Sequence, residues 1–435
     1  MLNISGDNRE FAENFVEDFI ERIQTLRDVK KYTKPELILY ISEVIGTRYE
    51  SESIIVYCNN LIENVIEEIE NSKLELGGMY SDFGIFTFAV NNIFKKTGSL
   101  YDLSFKLNTI LLDYAILIME SQKQRILLAS DYDCISGISG ILYYLLHTDF
   151  NKLDKIKLQK LIEFLINCTK VHEYKECEVI NFHLEKNALF LEEDRERYPL
   201  GNINFGLAHG MSGPLIALVE SYKLGLYNLD ILKAAINKIV SVYKKFEYIE
   251  NGIPYYPRQL DFNDYISDNK AKDFNNASWC YGNISNALVL LKTSKLLHEK
   301  DESFRYENYL LNIINQNYRD YFFEFSVLCH GSASIIAEQI SLYETTYNKL
   351  FLDNLNRNIE KMKEIYLIKN NYFLDLDEID LNSKKGIAEI QGYKDDLSFL
   401  CGIGGIFLVL LDVLIGDMKY KEILMISWRL HKKFI

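Results

Sequence analysis

Proline is scarce in this sequence, with five among 435 residues. A chain so poor in helix breakers, and 48% hydrophobic, reads as globular and mostly helical, with ample material for a core. Long apolar runs are missing too. The strongly apolar, charge-free stretch Leu397 to Leu411 is shorter than the ~20 residues of a spanning helix and contains glycines, so no transmembrane segment is expected. Met1 to Asp7 lack a basic segment followed by an apolar one, so no signal peptide is expected. Nor is there a cationic excess: 48 Lys and Arg face 62 Asp and Glu, for a net charge of −14. That balance argues against nucleic acid as a partner and is compatible with a cationic or amphipathic peptide. The seven cysteines are scattered, odd in number and without a CxxC pair. They do not form a disulfide framework, and a reducing cytoplasm is the simpler expectation.

What is present is a repeat. Small residues three positions apart, followed by an apolar run, recur at Ser81 and Gly84, Gly137 and Gly140, Gly210 and Gly213, Gly282 and Ser285, Gly331 and Ser334, and Gly402 and Gly405. Each copy reads as the start of an apolar helix whose small residues let a neighbour approach closely. Amphipathic helices between the copies, such as 230–245, supply an outer layer. The expected fold is all-α, a double-layered α/α toroid spanning 1–435 as one domain, with every motif at the same end. Six copies are recognisable, and a seventh too degraded to see is allowed for. Two stretches break the rhythm. Residues 172–205 read as a small β-containing insertion, and Tyr248 to Asp273, with Pro254 and Pro257, as a loop over the motif end.

Two of the copies carry chemistry. Cys280 and Cys329 each stand two residues before the first glycine of their motif, and His330 follows Cys329. Two thiols and one imidazole are three ligands for a zinc ion with an open fourth position. Buried structural cysteines are the plainer alternative, which the matched repeat positions weaken. His209 occupies in its copy the place of His330. It could be a fourth ligand, a packed histidine or an acid/base group, and beside a metal the last is preferred. Asp133 could cap a helix start or hold a proton in transit, with Asp131 near enough to compete. Trp279 and Tyr281 are core aromatics or walls of a peptide cleft. Cys401 reads as a packed thiol, and His147, His172, His183, His298 and His431 have no partner pattern. A two-thiolate zinc site favours activation of a substrate thiol over hydrolysis. An activated alkene is then the fitting electrophile, since addition leaves an enolate that needs a proton.

Asp133 with Gly137 and Gly140, Gly-Leu-Ala-His-Gly at 206–210, Trp-Cys-Tyr-Gly at 279–282 and Cys-His-Gly at 329–331 occur in one order over most of the chain. In this the sequence resembles the class I lanthipeptide synthetase C proteins, the lanthionine cyclases. The resemblance implies zinc on Cys280, Cys329 and His330, and addition of precursor cysteines to dehydroalanine or dehydrobutyrine to close thioether rings. It implies His209 and Asp133 as acid/base residues, with Trp279 and Tyr281 near the zinc. A dehydrated precursor with its leader is the implied substrate. A dehydratase and exporter complex at the inner membrane face are the implied partners, and a monomer is expected. Asn276 stands where the family often has Arg, with Lys272 the suggested substitute, and Ser285 and Ser334 replace family glycines. The alternatives are a C-like glutathione transferase acting on dehydroamino acids, or a toroid that only docks peptides. A glycosidase is disfavoured because no carboxylate pair converges.

Overall fold

The computed structural model describes residues 2–26, 33–270, 277–323, 325–368 and 396–427. Asn276, Lys272 and His431 lie outside them. Among the described residues, fourteen helices build two concentric layers. In chain order they are α1 (Gly6–Thr25), α2 (Lys34–Val44), α3 (Glu52–Glu70), α4 (Asp82–Thr97), α5 (Tyr101–Gln122), α6 (Ile138–Leu146), α7 (Lys155–Cys168), α8 (Ser212–Lys223), α9 (Leu229–Phe246), α10 (Asn283–Leu296), α11 (Lys300–Ile314), α12 (Ser332–Thr346), α13 (Leu355–Ile368) and α14 (Ile403–Ile415). Odd-numbered helices are outer and even-numbered ones inner, as burial shows. Every residue of α6 is buried, as is α14 from Ile403 to Leu414. In α9 only the stripe Leu232, Ala235, Ile236, Ile239, Val242, Tyr243 and Phe246 is covered. An all-round apolar helix must be enclosed, whereas a striped one keeps its polar face in water. Each covered aliphatic side chain of such a stripe contributes about 1.5–3 kcal/mol.

The ring closes. Tyr144 of α6 donates to the carbonyl of Thr87 in α4, and Tyr40 of α2 meets Phe407 of α14 edge-on at 6.0 Å. Helix α2 is the seventh inner helix and has no glycine motif. Its start is a capping box between Thr33 and Glu36, and Glu36 reaches across to accept from the Phe399 N–H at 2.9 Å. The centre of the ring is filled by Tyr420–Ser427, every residue of which is buried. Its carbonyls accept from residues around the ring: Ile423 from Tyr80, Leu424 from Trp279, Ile426 from Ser341, and Ser427 from Tyr143 and Lys292. Lys421 pairs with Asp412 of α14 at 2.6 Å. No helix among the described residues is long and apolar enough to cross a membrane.

The 172–205 region does form strand, but not alone. β1 (Val171–Tyr174) and β2 (Cys177–Ile180) make a hairpin. β3 (His183–Leu184) pairs with β4 (Asn202–Asn204), and β4 pairs on its other side with β7 (Gln259–Asp261). The stretch expected to be a loop, 248–273, therefore supplies a third sheet strand. It also contains the hairpin of β5 (Tyr248–Glu250) and β6 (Ile253–Tyr255), and a short helix, Phe262–Ser267. Pro254 is accommodated there because it sits in a two-stranded hairpin, where one ladder N–H is dispensable.

The small-residue motif has a physical cause. The first residue caps an inner helix in extended backbone, as Gly137, Gly282, Gly331 and Gly402 do. The second packs onto a carbonyl of its own loop, six residues earlier: Gly84 on Gly78, Gly140 on Cys134, Gly405 on Phe399. A methyl group at Gly140 would run into the Cys134 carbonyl, which has no room to yield. Gly140→Ala should therefore lower stability by about 1–3 kcal/mol. Gly6→Ala, where a methyl group meets nothing, should not lower it. Urea unfolding of both variants against the parent measures the difference.

Candidate functional site

The motif loops meet at one end of the ring and are tied to each other by main chain. Tyr80 N–H donates to Ile135, Cys134 to Ala208, Ala208 to Cys280, Cys280 to Cys329, and Cys329 to Leu400, at 3.0–3.3 Å. Adjacent loops are thereby held in register, so residues at matching repeat positions share one space. Cys280, leading into α10, and Cys329 and His330, leading into α12, bring two Sγ atoms and one imidazole nitrogen within 4.8 Å of one another. Cys280 is buried, while Cys329 and His330 are partly open. The Cys280 thiol is drawn well below the usual thiol range, chiefly by a hydrogen bond with Cys329 and further by His330, against the opposing effect of burial. Cys329 is pushed up correspondingly by its bonds to Cys280 and Cys401. A pair that readily releases its first proton, with a nitrogen beside it, is a donor set that fits a soft or borderline divalent metal.

Asp133 and His209 form a second unit. Asp133 is 1% exposed, and its Oδ1 accepts from the N–H groups of Ser136 and Gly137 at 2.8 Å each. Its Oδ2 lies 2.7 Å from His209 Nδ1. The carboxylate thus caps the turn and orients the imidazole together, leaving Nε2 as the outward nitrogen of a side chain that is 43% exposed. Burial works against charge on His209, but the hydrogen bond and charge of Asp133 outweigh it and raise the imidazole above its ordinary value. Asp131 does not compete, being held by Arg125 and by the Leu128 N–H.

Tyr281 lies beside this dyad, its ring 6.4 Å from that of His209. Its hydroxyl accepts from Asn204 at 3.3 Å, and burial pushes its pKa up to about 12. Trp279 sits below the loop, 1% exposed, with Tyr80 at 5.6 Å and its Nε1–H on the Leu424 carbonyl. Its N–H donates to Ser334 Oγ at 2.6 Å. Ser285 donates to the Ser278 carbonyl and to Glu338, a wholly buried carboxyl that burial raises to about 8. The two serines that stand in for glycines thus build a polar floor under the Cys280 loop.

Glu338, Arg258 and the contact of Cys401 with Cys329 were missed from sequence. Cys401 did carry a signal, since it occupies the repeat position of His330. Arg258 and Glu338 carried none, the first lying outside the repeats and the second inside an apolar helix. His147 and His183 bond to backbone carbonyls and His172 to Asn181.

The sequence profile of lanthionine synthetase C-like proteins matches residues 45–425. The nisin biosynthesis protein NisC of Lactococcus lactis subsp. lactis is 25% identical over 384 residues, 86% of this chain and 83% of that protein. A solved structure of nisin cyclase superposes with a TM-score of 0.75 at 22% identity, covering 97% of this chain and 98% of the other. The helical toroid is thus a fold already seen.

Asp133→Asn should leave the turn capped but remove the charge, so that His209 titrates about one to three pH units lower. NMR titration of the imidazole reads this directly. Glu338 binds its proton more tightly folded than unfolded, so its contribution to stability declines as pH rises from about 4.5 to about 8. Glu338→Gln, which mimics the protonated acid, should flatten that part of a stability-against-pH curve from thermal unfolding.

Proposed function

The chain belongs to the lanthionine synthetase C-like family, and from that premise we propose that it is a zinc-dependent lanthionine cyclase. It would add cysteine thiols of a precursor peptide to dehydroalanine or dehydrobutyrine of the same peptide and close thioether rings. The observation that carries the reading is the cluster of Cys280, Cys329 and His330 on matched loops, with the His209–Asp133 pair on the neighbouring one. The names of its relatives support the peptide chemistry over transfer of glutathione.

Cys280, Cys329 and His330 would hold the zinc. When bound, it would bind the incoming thiol, favour its loss of a proton near neutral pH and leave the sulfur nucleophilic. The sulfur attacks Cβ of the dehydro residue, and the π electrons move to the adjacent carbonyl as an enolate. Cα then takes a proton. His209 is the group for that transfer, because Asp133 fixes its Nδ1–H and raises its affinity for a second proton on Nε2. The thiol loses one proton and Cα gains one, so the reaction balances without a co-reactant. Tyr281, protonated and rigid, lines the approach beside His209. Trp279 acts from below by fixing the loop that carries Cys280.

The same reading extends to the setting. The substrate is a dehydrated precursor with its leader, received from a dehydratase and passed to an exporter, and the chain works as a monomer in the cytoplasm at the inner membrane face. One cyclase domain spans 1–435, with 172–205 as its insertion. Elemental analysis of reduced protein should find about one zinc per chain, as expected of a three-ligand catalytic site. That zinc should be lost in Cys280→Ala, Cys329→Ala and His330→Ala while helicity by circular dichroism persists. The parent should consume the free thiol of a dehydrated peptide with no change in mass. Absence of zinc from freshly purified, reduced protein would sink the mechanism.

A further inference from the structure

A thiolate in a buried place is costly unless a metal and hydrogen-bond donors share its charge. Cys280 is such a ligand, buried beneath the motif end, and one donor reaches its sulfur. Ser278 Oγ lies 3.8 Å from Cys280 Sγ, and Ser278 is wholly buried, so water does not compete for the contact. A cysteine that ligates a metal has given up its proton and can only accept, which makes the serine hydroxyl the donor. A hydrogen bond to an ionised acceptor is also the stronger kind.

The repeat gives this contact a counterpart. Ser278 stands four residues before Gly282, as Asp133 stands four residues before Gly137, so the two share one repeat position. In its loop Asp133 spends its side chain on the Gly137 N–H and on His209. In the Cys280 loop the Gly282 N–H goes instead to the Ser278 main-chain carbonyl, at 2.9 Å. That turn is closed by backbone, and the side chain meets the sulfur. The same carbonyl accepts from Ser285, which is bonded in turn to Glu338. Trp279, between the two residues, is held by its N–H on Ser334 Oγ and by its indole on the Leu424 carbonyl. The Cys280 N–H is held by the Cys329 carbonyl. Hydroxyl and sulfur are therefore set at their spacing by a backbone fixed on both sides of them.

We propose that Ser278 is a positioning residue of the metal site, donating from its hydroxyl to the Cys280 thiolate and limiting the charge that this sulfur gives to the metal. Two thiolates and an imidazole leave a divalent ion close to neutral, and an incoming thiolate makes the centre anionic. A neutral hydroxyl draws off part of the charge on Cys280 without cancelling it, so the ion keeps a stronger pull on the incoming thiol. Ser278 touches neither metal nor substrate and acts through Cys280. This rests on the reading of Cys280, Cys329 and His330 as metal ligands, and its test separates the two.

Full-length parent, Ser278→Ala and Ser278→Thr proteins are reduced, freed of metal and loaded with excess cobalt(II), whose absorption reports the bound sulfurs. Zinc affinity is measured separately by competition with a chromophoric chelator, and circular dichroism is followed for each protein. Ser278→Ala should bind zinc about 10–100-fold more weakly, the usual cost of losing a hydrogen bond to a metal ligand. Its sulfur-to-cobalt charge-transfer band should move to longer wavelength, because a sulfur without its hydrogen bond gives up electrons more easily. Ser278→Thr, which keeps the hydroxyl, should hold the parental band. An unmoved band in Ser278→Ala overturns the proposal even where affinity falls, since a packing role weakens binding without changing the charge on sulfur. A band displaced equally in both variants overturns it too, as does a loss of cobalt so complete that no band forms. A parent that takes up neither metal defeats the metal reading itself, and the role of Ser278 with it.

Discussion

A belt of main-chain hydrogen bonds between successive motif loops is the constraint on which the site depends. It runs from Tyr80 through Ile135, Ala208, Cys280 and Cys329 to Leu400. Backbone groups at buried helix starts must find partners, and here the partners are the equivalent groups of the next loop. The belt sets each loop relative to its neighbours independently of side-chain identity. Side chains are then free to differ from copy to copy, and those at matching positions arrive in register: Cys280 beside Cys329, and His209 one loop away.

The close packing of small residues follows from the same arrangement. A loop bonded to both neighbours and folded back on its own helix leaves no space above the second small position, which is why Gly84, Gly140 and Gly405 touch carbonyls of their own loops. Where serine replaces glycine, the hydroxyl joins the bonding. Ser334 takes the Trp279 N–H, and Ser285 binds Glu338, kept neutral by burial. A neutral acid beneath the loop of Cys280, whose thiol is drawn down, adds hydrogen bonding without adding like charge. Beneath these, Tyr420–Ser427 fills the centre and takes the Trp279 indole N–H, so the residue next to Cys280 is held from the lumen as well.

Charge is distributed with a similar economy at the upper face. Asp133 uses one oxygen for the turn that precedes α6 and the other for His209, so one buried carboxylate ties the imidazole to that turn. The sheet of β3, β4 and β7 is built from segments on either side of α8 and α9, and it brings Arg258 to Tyr281. This sheet is thus a support for the site.

The layers and the grouping of Cys280, Cys329 and His330 could be read in the sequence because both are local patterns. Apolar stripes at helical spacing and small residues three apart are set by neighbours along the chain, and the repeat places Cys280, Cys329, His330 and His209 at matching positions in the sequence itself. The seventh inner helix was hidden because it starts with a Thr33–Glu36 capping box instead of the small-residue motif, and Glu36 meets the Phe399 N–H across the ring. Asp133 was legible as a cap or as a proton carrier, but only the fold shows one carboxylate bonded both to the Ser136 turn and to His209. The pairing of β4 with β7, the filling of the lumen by 420–427, the neutral Glu338 and the approach of Arg258 to Tyr281 have no local signature. They join residues tens to hundreds of positions apart, and such contacts exist only after the ring has closed and brought remote backbone groups to the same bonds.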